Sequence, residues 1–98
     1  MYFSVYALDK PGAGSLRAKH REEHRARLHQ NEYPLKVIVA GPLLGADDTM
    51  IGSLLIVEAE AAEDVRAFIG TDPYWINGVY ETVDVRAFGW GIGAPVKN

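Results

Sequence analysis

The chain has 98 residues, no cysteine and a formal net charge of −3. Its length fits one domain, and 48% apolar with 23% charged residues is globular composition rather than that of a disordered chain. Without cysteine there are no disulfides, thiolate metal ligands or thiol nucleophile, and no apolar run reaches the ~20 residues of a membrane span.

Tyr2–Leu8 is aromatic and β-branched and reads as a first strand. It has no basic leader, so no signal peptide is expected and the reading is cytoplasmic. Pro11, Gly12 and Gly14 mark a loop. Ser15 to Glu32 then forms a stretch without Gly, Pro or β-branched residues, which predicts a helix with Ser15 as N-cap and Tyr33-Pro34 as its stop. On that helix Leu16, His20, His24 and Leu28 fall four apart and form a predicted inward stripe, with Arg17 and Arg21 beside it. A core-facing stripe is normally aliphatic. One carrying two imidazoles and flanked by two guanidiniums has given up apolar burial for another purpose.

Leu35–Leu44 reads as a second strand interrupted near Gly41-Pro42, where proline belongs at an edge, end or bulge. Gly45–Ile51 is a loop and Gly52–Glu60 a third strand. Ala61–Ile69 is a short helix stopped by Gly70. Thr71-Asp72-Pro73-Tyr74-Trp75 begins another helical turn, and Val79–Phe88 alternates as the last strand. Residues 89–98 are Gly-rich and read as a tail of the single domain 1–98. The order βαββαβ predicts an α+β, ferredoxin-like protomer. Strands one to three are apolar on both faces, which predicts a homodimer packed sheet to sheet.

Five Lys/Arg (Arg17, Lys19, Arg21, Arg25, Arg27) sit in residues 15–32 against three acids, while the rest of the chain has five against ten. An acidic chain with one cationic helix argues against nucleic acid and for a small anion or phenolate. Arg25 and Arg27 also fit a solvated helix face.

His24 is the leading candidate for chemistry, because an imidazole ordinarily titrates near ~6.5 and can take and return protons at neutral pH. Asp72 is its candidate partner. Spacing alone leaves two roles open for Asp72, since Asp before Pro is also an ordinary helix cap, and His24 equally suits a packing role. His20-Arg21-Glu22-Glu23-His24 fits the H-x-x-E-H zinc pattern, but that pattern requires a third ligand, usually a distant carboxylate, and a larger domain, and the interleaved arginines repel a cation, so no metal is expected. His29 reads as surface. Ser53 lies outside a G-x-S-x-G elbow and is a candidate hydrogen-bond donor to a ligand rather than a nucleophile. Tyr74, Trp75, Tyr80 and Trp90 read as packing, with Tyr74 also a candidate substrate contact. No phosphate-cradling glycine motif is present, so no nucleotide cofactor is expected.

These residues resemble the YCII-related family along nearly the whole chain. The resemblance rests on the aromatic first strand ending at Asp9-Lys10, Arg21-x-x-His24 followed by Leu28, Ala40-Gly41-Pro42, Gly52-Ser53, Asp72-Pro73-Tyr74 and Gly78-Val79-Tyr80-Glu81. Glu22 departs from the pattern, since many relatives carry proline there. The resemblance implies a dimeric α/β barrel and His24 acting with Asp72. It further implies a cofactor-free dehydrochlorinase that removes chloride from a chlorinated hydroxyhydroquinone, with Arg17 and Arg21 on the phenolate. A tautomerase on an enol or lactone, and a non-catalytic dimeric ligand-binding module, are the alternatives.

Overall fold

A computed structural model describes residues 1–30 and 35–95. Strand β1 (Tyr2–Asp9) buries Phe3, Val5 and Ala7 on one side, as period-two alternation requires. Helix α1 (Gly14–Leu28) follows a turn closed by Ala13 N–H to the Lys10 carbonyl at 3.1 Å. Strand β2 (Lys36–Leu44), a short 3₁₀ turn (Ala46–Asp48) and strand β3 (Met50–Glu58) come next. Helix α2 (Ala62–Gly70), the one-turn helix α3 (Pro73–Ile76) and strand β4 (Tyr80–Phe88) complete the chain. The sheet is antiparallel in the order β2-β3-β1-β4, so the expected ferredoxin-like α+β fold is present.

Several boundaries differ from expectation for local reasons. Ser15 lies inside α1 and does not cap it; Ala13 precedes the helix without a side-chain cap and is buried against Tyr74 and Val79. The helix ends at Leu28, and the Tyr33-Pro34 stop lies outside the described residues. Strand β2 runs through Gly41-Pro42 because it is the sheet edge, where a missing N–H costs no ladder bond. Strand β3 begins at Met50, placing Gly52 inside it opposite Leu8 of β1. Residues 89–95 form no helix or strand, and Trp90 packs edge-on to Phe88 and Tyr2.

The predicted stripe on α1 is rotated. Leu16 is 39% exposed, and Arg17 takes its place at 4%. Four-residue steps drift about 40° each on a helix of 3.6 residues per turn, so a stripe centred on His24 has left Leu16 behind after two steps. The inward positions are Arg17, His24 and the half-buried His20, Arg27 and Leu28.

The main core lies between the sheet and α2, from Phe3, Val5, Leu55, Val57, Val65 and Ile69. A second cluster of Ala7, Ala13, Tyr74, Val79 and Tyr80 joins α1 and α3 to the sheet. On the opposite sheet face Tyr6, Val39 and Leu54 are 47%, 44% and 37% exposed. Among the described residues no helix is long and apolar enough to cross a membrane.

A Cβ at Gly52 would collide with the Ala7 carbonyl oxygen and press on the Leu43 side chain. Gly52→Ala therefore overpacks the β1–β3 contact. It is expected to cost about 1–3 kcal/mol and, at about 4–8 °C per kcal/mol for this size, to lower the melting temperature measurably by circular dichroism.

Candidate functional site

Asp72 precedes Pro73 at the start of α3, and its Oδ1 accepts the Tyr74 backbone N–H at 2.8 Å. The side chain is 0% exposed. Across from it, His24 Nδ1 lies 2.9 Å from both carboxylate oxygens. One carboxylate thus caps α3 and contacts the imidazole at once, since it has enough lone pairs for both. With a carboxylate as acceptor, Nδ1 is the nitrogen that donates, which leaves the Nε2 lone pair as the basic position.

Sequence reasoning missed the third member of this group. Arg27 reads as surface from composition, yet its Nη1 is 3.3 Å from Asp72 Oδ2, an ion pair by distance rather than an aligned hydrogen bond. Its Nη2 donates to the Phe68 carbonyl at 3.0 Å and to Thr71 Oγ1 at 2.6 Å, and the guanidinium lies over the Phe68 ring. Position 27 follows His24 by three, so helical spacing put it on the same face.

Arg17 is placed differently from expectation. Its Nε and Nη2 bond both oxygens of Asp9, at 2.8 and 3.1 Å, and Nη2 also donates to Ser53 Oγ at 2.9 Å. A buried guanidinium engaged in this way is already neutralised. Asp9 was overlooked, although alternation along β1 sets it on the same inward side as Phe3, Val5 and Ala7. The Tyr74 ring is stacked on His24, with centroids 3.9 Å apart and planes within 11°, and Arg17 lies 4.7 Å from the same ring. The Tyr74 hydroxyl donates to the Arg17 carbonyl at 3.2 Å. Burial pushes the Tyr74 phenol above its ordinary value, with Arg17 and Arg21 opposing, so this ring is a neutral packing surface at working pH. Burial likewise raises Tyr80, whose enclosed hydroxyl faces Ser53 without a well-formed hydrogen bond.

Beside this group lies a cavity of about 510 Å³ between α1 and the β2–β3 edge. Arg21, His24, Arg25 and Ser53 line it, with an apolar wall that includes Leu28, Val37 and Leu55. Arg21 reaches Met50 at the start of β3, Nη2 to Sδ 3.6 Å. Of the residues expected to contact a ligand, Arg21 and Ser53 border this space, while Arg17 and Tyr74 stand behind it. His29, exposed as expected, also borders the cavity. His20 is half-buried near Glu23 and apart from the Asp72 group. Among the described residues no three His, Cys, Asp or Glu side chains converge as a metal site.

The fold and site together define a small ferredoxin-like protein with a buried histidine–aspartate pair at a cationic, apolar cavity. The chain belongs to the YCII-related family, whose domain model matches residues 1–89. It is 34% identical over 94 residues to protein YciI of Escherichia coli O6:H1, covering 90% of this chain and 96% of that one. It is 33% identical to an uncharacterized protein of Haemophilus influenzae over the same span. Among solved structures it resembles 5-chloro-2-hydroxyhydroquinone dehydrochlorinase (TftG) from Burkholderia phenoliruptrix AC1100, seen in complex with 2,5-dihydroxybenzoquinone. The TM-score is 0.84 at 34% identity, covering 93% of this chain and 96% of that one. The Agrobacterium tumefaciens protein Atu4242, at 15% identity and TM-score 0.55, shares the fold.

Removing Arg27 leaves a buried carboxylate with less opposing charge. Arg27→Ala is expected to cost about 2–3 kcal/mol, somewhat under the loss from a fully buried pair, and to lower the melting temperature by about 10 °C or more. An unchanged melt would show that Asp72 is satisfied without it.

Proposed function

We propose that this chain is a cofactor-free lyase that eliminates chloride from a chlorinated hydroxyhydroquinone by proton transfer through His24. The observation that carries the reading is the His24–Asp72 pair, joined at 2.9 Å and set at the wall of a cavity lined by arginines and apolar side chains. The likeness to TftG over most of both chains supports the reaction class. A flat, oxygenated ring suits the apolar wall, and its developing phenolate suits the guanidiniums.

In the proposed reaction His24 Nε2 takes a proton from a ring hydroxyl and returns it to the chlorine-bearing carbon. The C–Cl bond then breaks with both electrons going to chloride. A second hydroxyl gives up its proton to the now neutral His24 Nε2 as the ring becomes a hydroxyquinone. The net loss is HCl. The carbon that exchanges chlorine for hydrogen is reduced as the diol is oxidised, so no outside oxidant is needed. Asp72 holds the imidazole in the required tautomer and steadies its cationic form, and the Tyr74 ring fixes its plane. Ser53, already accepting from Arg17, has its own hydrogen available for a ligand oxygen.

His24→Ala is expected to lower chloride release from a chlorinated hydroxyhydroquinone by at least about 10²-fold, with an unchanged far-ultraviolet spectrum. Full activity in that variant would end the proposal. Ring tautomerisation without halide release would favour the tautomerase reading of the same pair.

The sheet face with Tyr6, Val39 and Leu54 exposed supports a homodimer packed through it and leaves the cavity on the far side of the sheet. Light scattering after gel filtration is expected to give twice the 10.8 kDa chain mass. Leu54→Asp should give the single-chain mass, and a wild-type monomer at micromolar concentration would remove the dimer.

A further inference from the structure

Helix α1 carries four arginines near the site, and they divide into two kinds. Arg17 is paired with Asp9 and Arg27 with Asp72. Arg21 and Arg25 both line the cavity, and neither has an ion-pair partner among the described residues. The described polar neighbours of Arg21 are neutral, namely the Met50 sulfur and the Tyr74 phenol. The two guanidiniums stand four residues apart on one helix, where like charges repel by a few tenths of a kcal/mol. Among the described residues no Asp or Glu borders the cavity, although the chain as a whole has 13 acids against 10 Lys/Arg. Placement of Arg25 in the last turn complements the helix dipole, but that accounts neither for Arg21 nor for the absence of acids from the described lining.

We infer that Arg21 and Arg25 form an anion subsite at the cavity mouth, distinct from His24, which receives the halide as it leaves. This rests on the proposed halide-releasing reaction. A guanidinium keeps its charge and has no proton to give at working pH, so it holds a halide through N–H donors without competing for the proton that His24 carries. Both side chains are exposed, so the anion held there has a direct path to water. The geometry separates the two products of elimination: the proton stays with the imidazole on the buried side, and chloride passes to the guanidiniums on the open side.

The test uses the full-length protein and plain halide salts. Chloride-35 line broadening, measured against sodium gluconate at equal ionic strength, should show excess broadening in the wild type. His24→Ala should retain it, and the double variant Arg21→Gln/Arg25→Gln should lose it at least fivefold. During turnover, bromide should inhibit the wild type more than fluoride does, and Arg25→Gln should weaken that inhibition at least fivefold. The same variant should slow kcat for a chlorinated ring more than for its brominated counterpart. Equal broadening in wild type and double variant overturns the subsite. So does an equal rise in KM for both halogenated rings with kcat unchanged, which would place the arginines on the phenolate alone. If the wild type releases no halide while arginine-dependent broadening persists, the dechlorination reading falls and the subsite stands.

Discussion

The carboxylate of Asp72 is a charge with no access to water, and the arrangement of this end of the molecule follows from satisfying it. An isolated buried carboxylate is too costly to keep, so each approach to it is occupied. A backbone N–H comes from its own helix, an imidazole from the middle of α1 and a guanidinium from one turn further on. Those partners belong to segments 48 residues apart in sequence. The aspartate therefore fixes where α3 sits against α1 as well as the orientation of His24.

The same logic runs at the other end of α1. Arg17 is as deeply buried as core leucines, and its bidentate bond to Asp9 ties the helix to β1. Helix α1 has little apolar surface to offer, since Leu16 points outward and Leu28 is only half-buried. Its docking thus depends on two charge pairs more than on a greasy stripe. Replacing such pairs with well-packed hydrophobic groups is often neutral or stabilising, so their presence is better explained by the position they enforce than by the stability they add.

The fold was legible because strand alternation and loop signals survive in a short chain: the βαββαβ order and the helix opening at Asp72-Pro73 can be read from single residues. The site was legible in part. His24 stands out because an imidazole on an inward helical face needs a reason; its pairing with Asp72 followed from the family resemblance, since Asp before Pro reads equally as a helix cap. What could not be read was which arginine goes where. Arg17, Arg21, Arg25 and Arg27 are chemically identical, and their fates are set by partners distant in sequence. Asp9 and Asp72 each capture one, so Arg17, expected at a ligand, is a strut, and Arg27, readable as surface, is a partner of the buried aspartate. The rotation that buries Arg17 in place of Leu16 is likewise decided by Asp9 across the gap.

These two captures constrain the residues between them. Arg17 and Arg27 are ten positions apart, about 15 Å along a helix, and each is held by a carboxylate on a different element, β1 and α3. The stretch between them carries Arg21, His24 and Arg25, which face the cavity. A helix pinned at both ends can neither slide nor roll without breaking a buried ion pair. The backbone that carries the imidazole and the two cavity guanidiniums therefore keeps a fixed position relative to the β2–β3 wall. Placement of that kind matters wherever a group reacts, since misalignment by ~1 Å can cost about 10²-fold in rate. In a domain of this size, with little core to spare for rigidity, paired charges at the two ends of one helix supply the stiffness that a larger domain would draw from its hydrophobic interior.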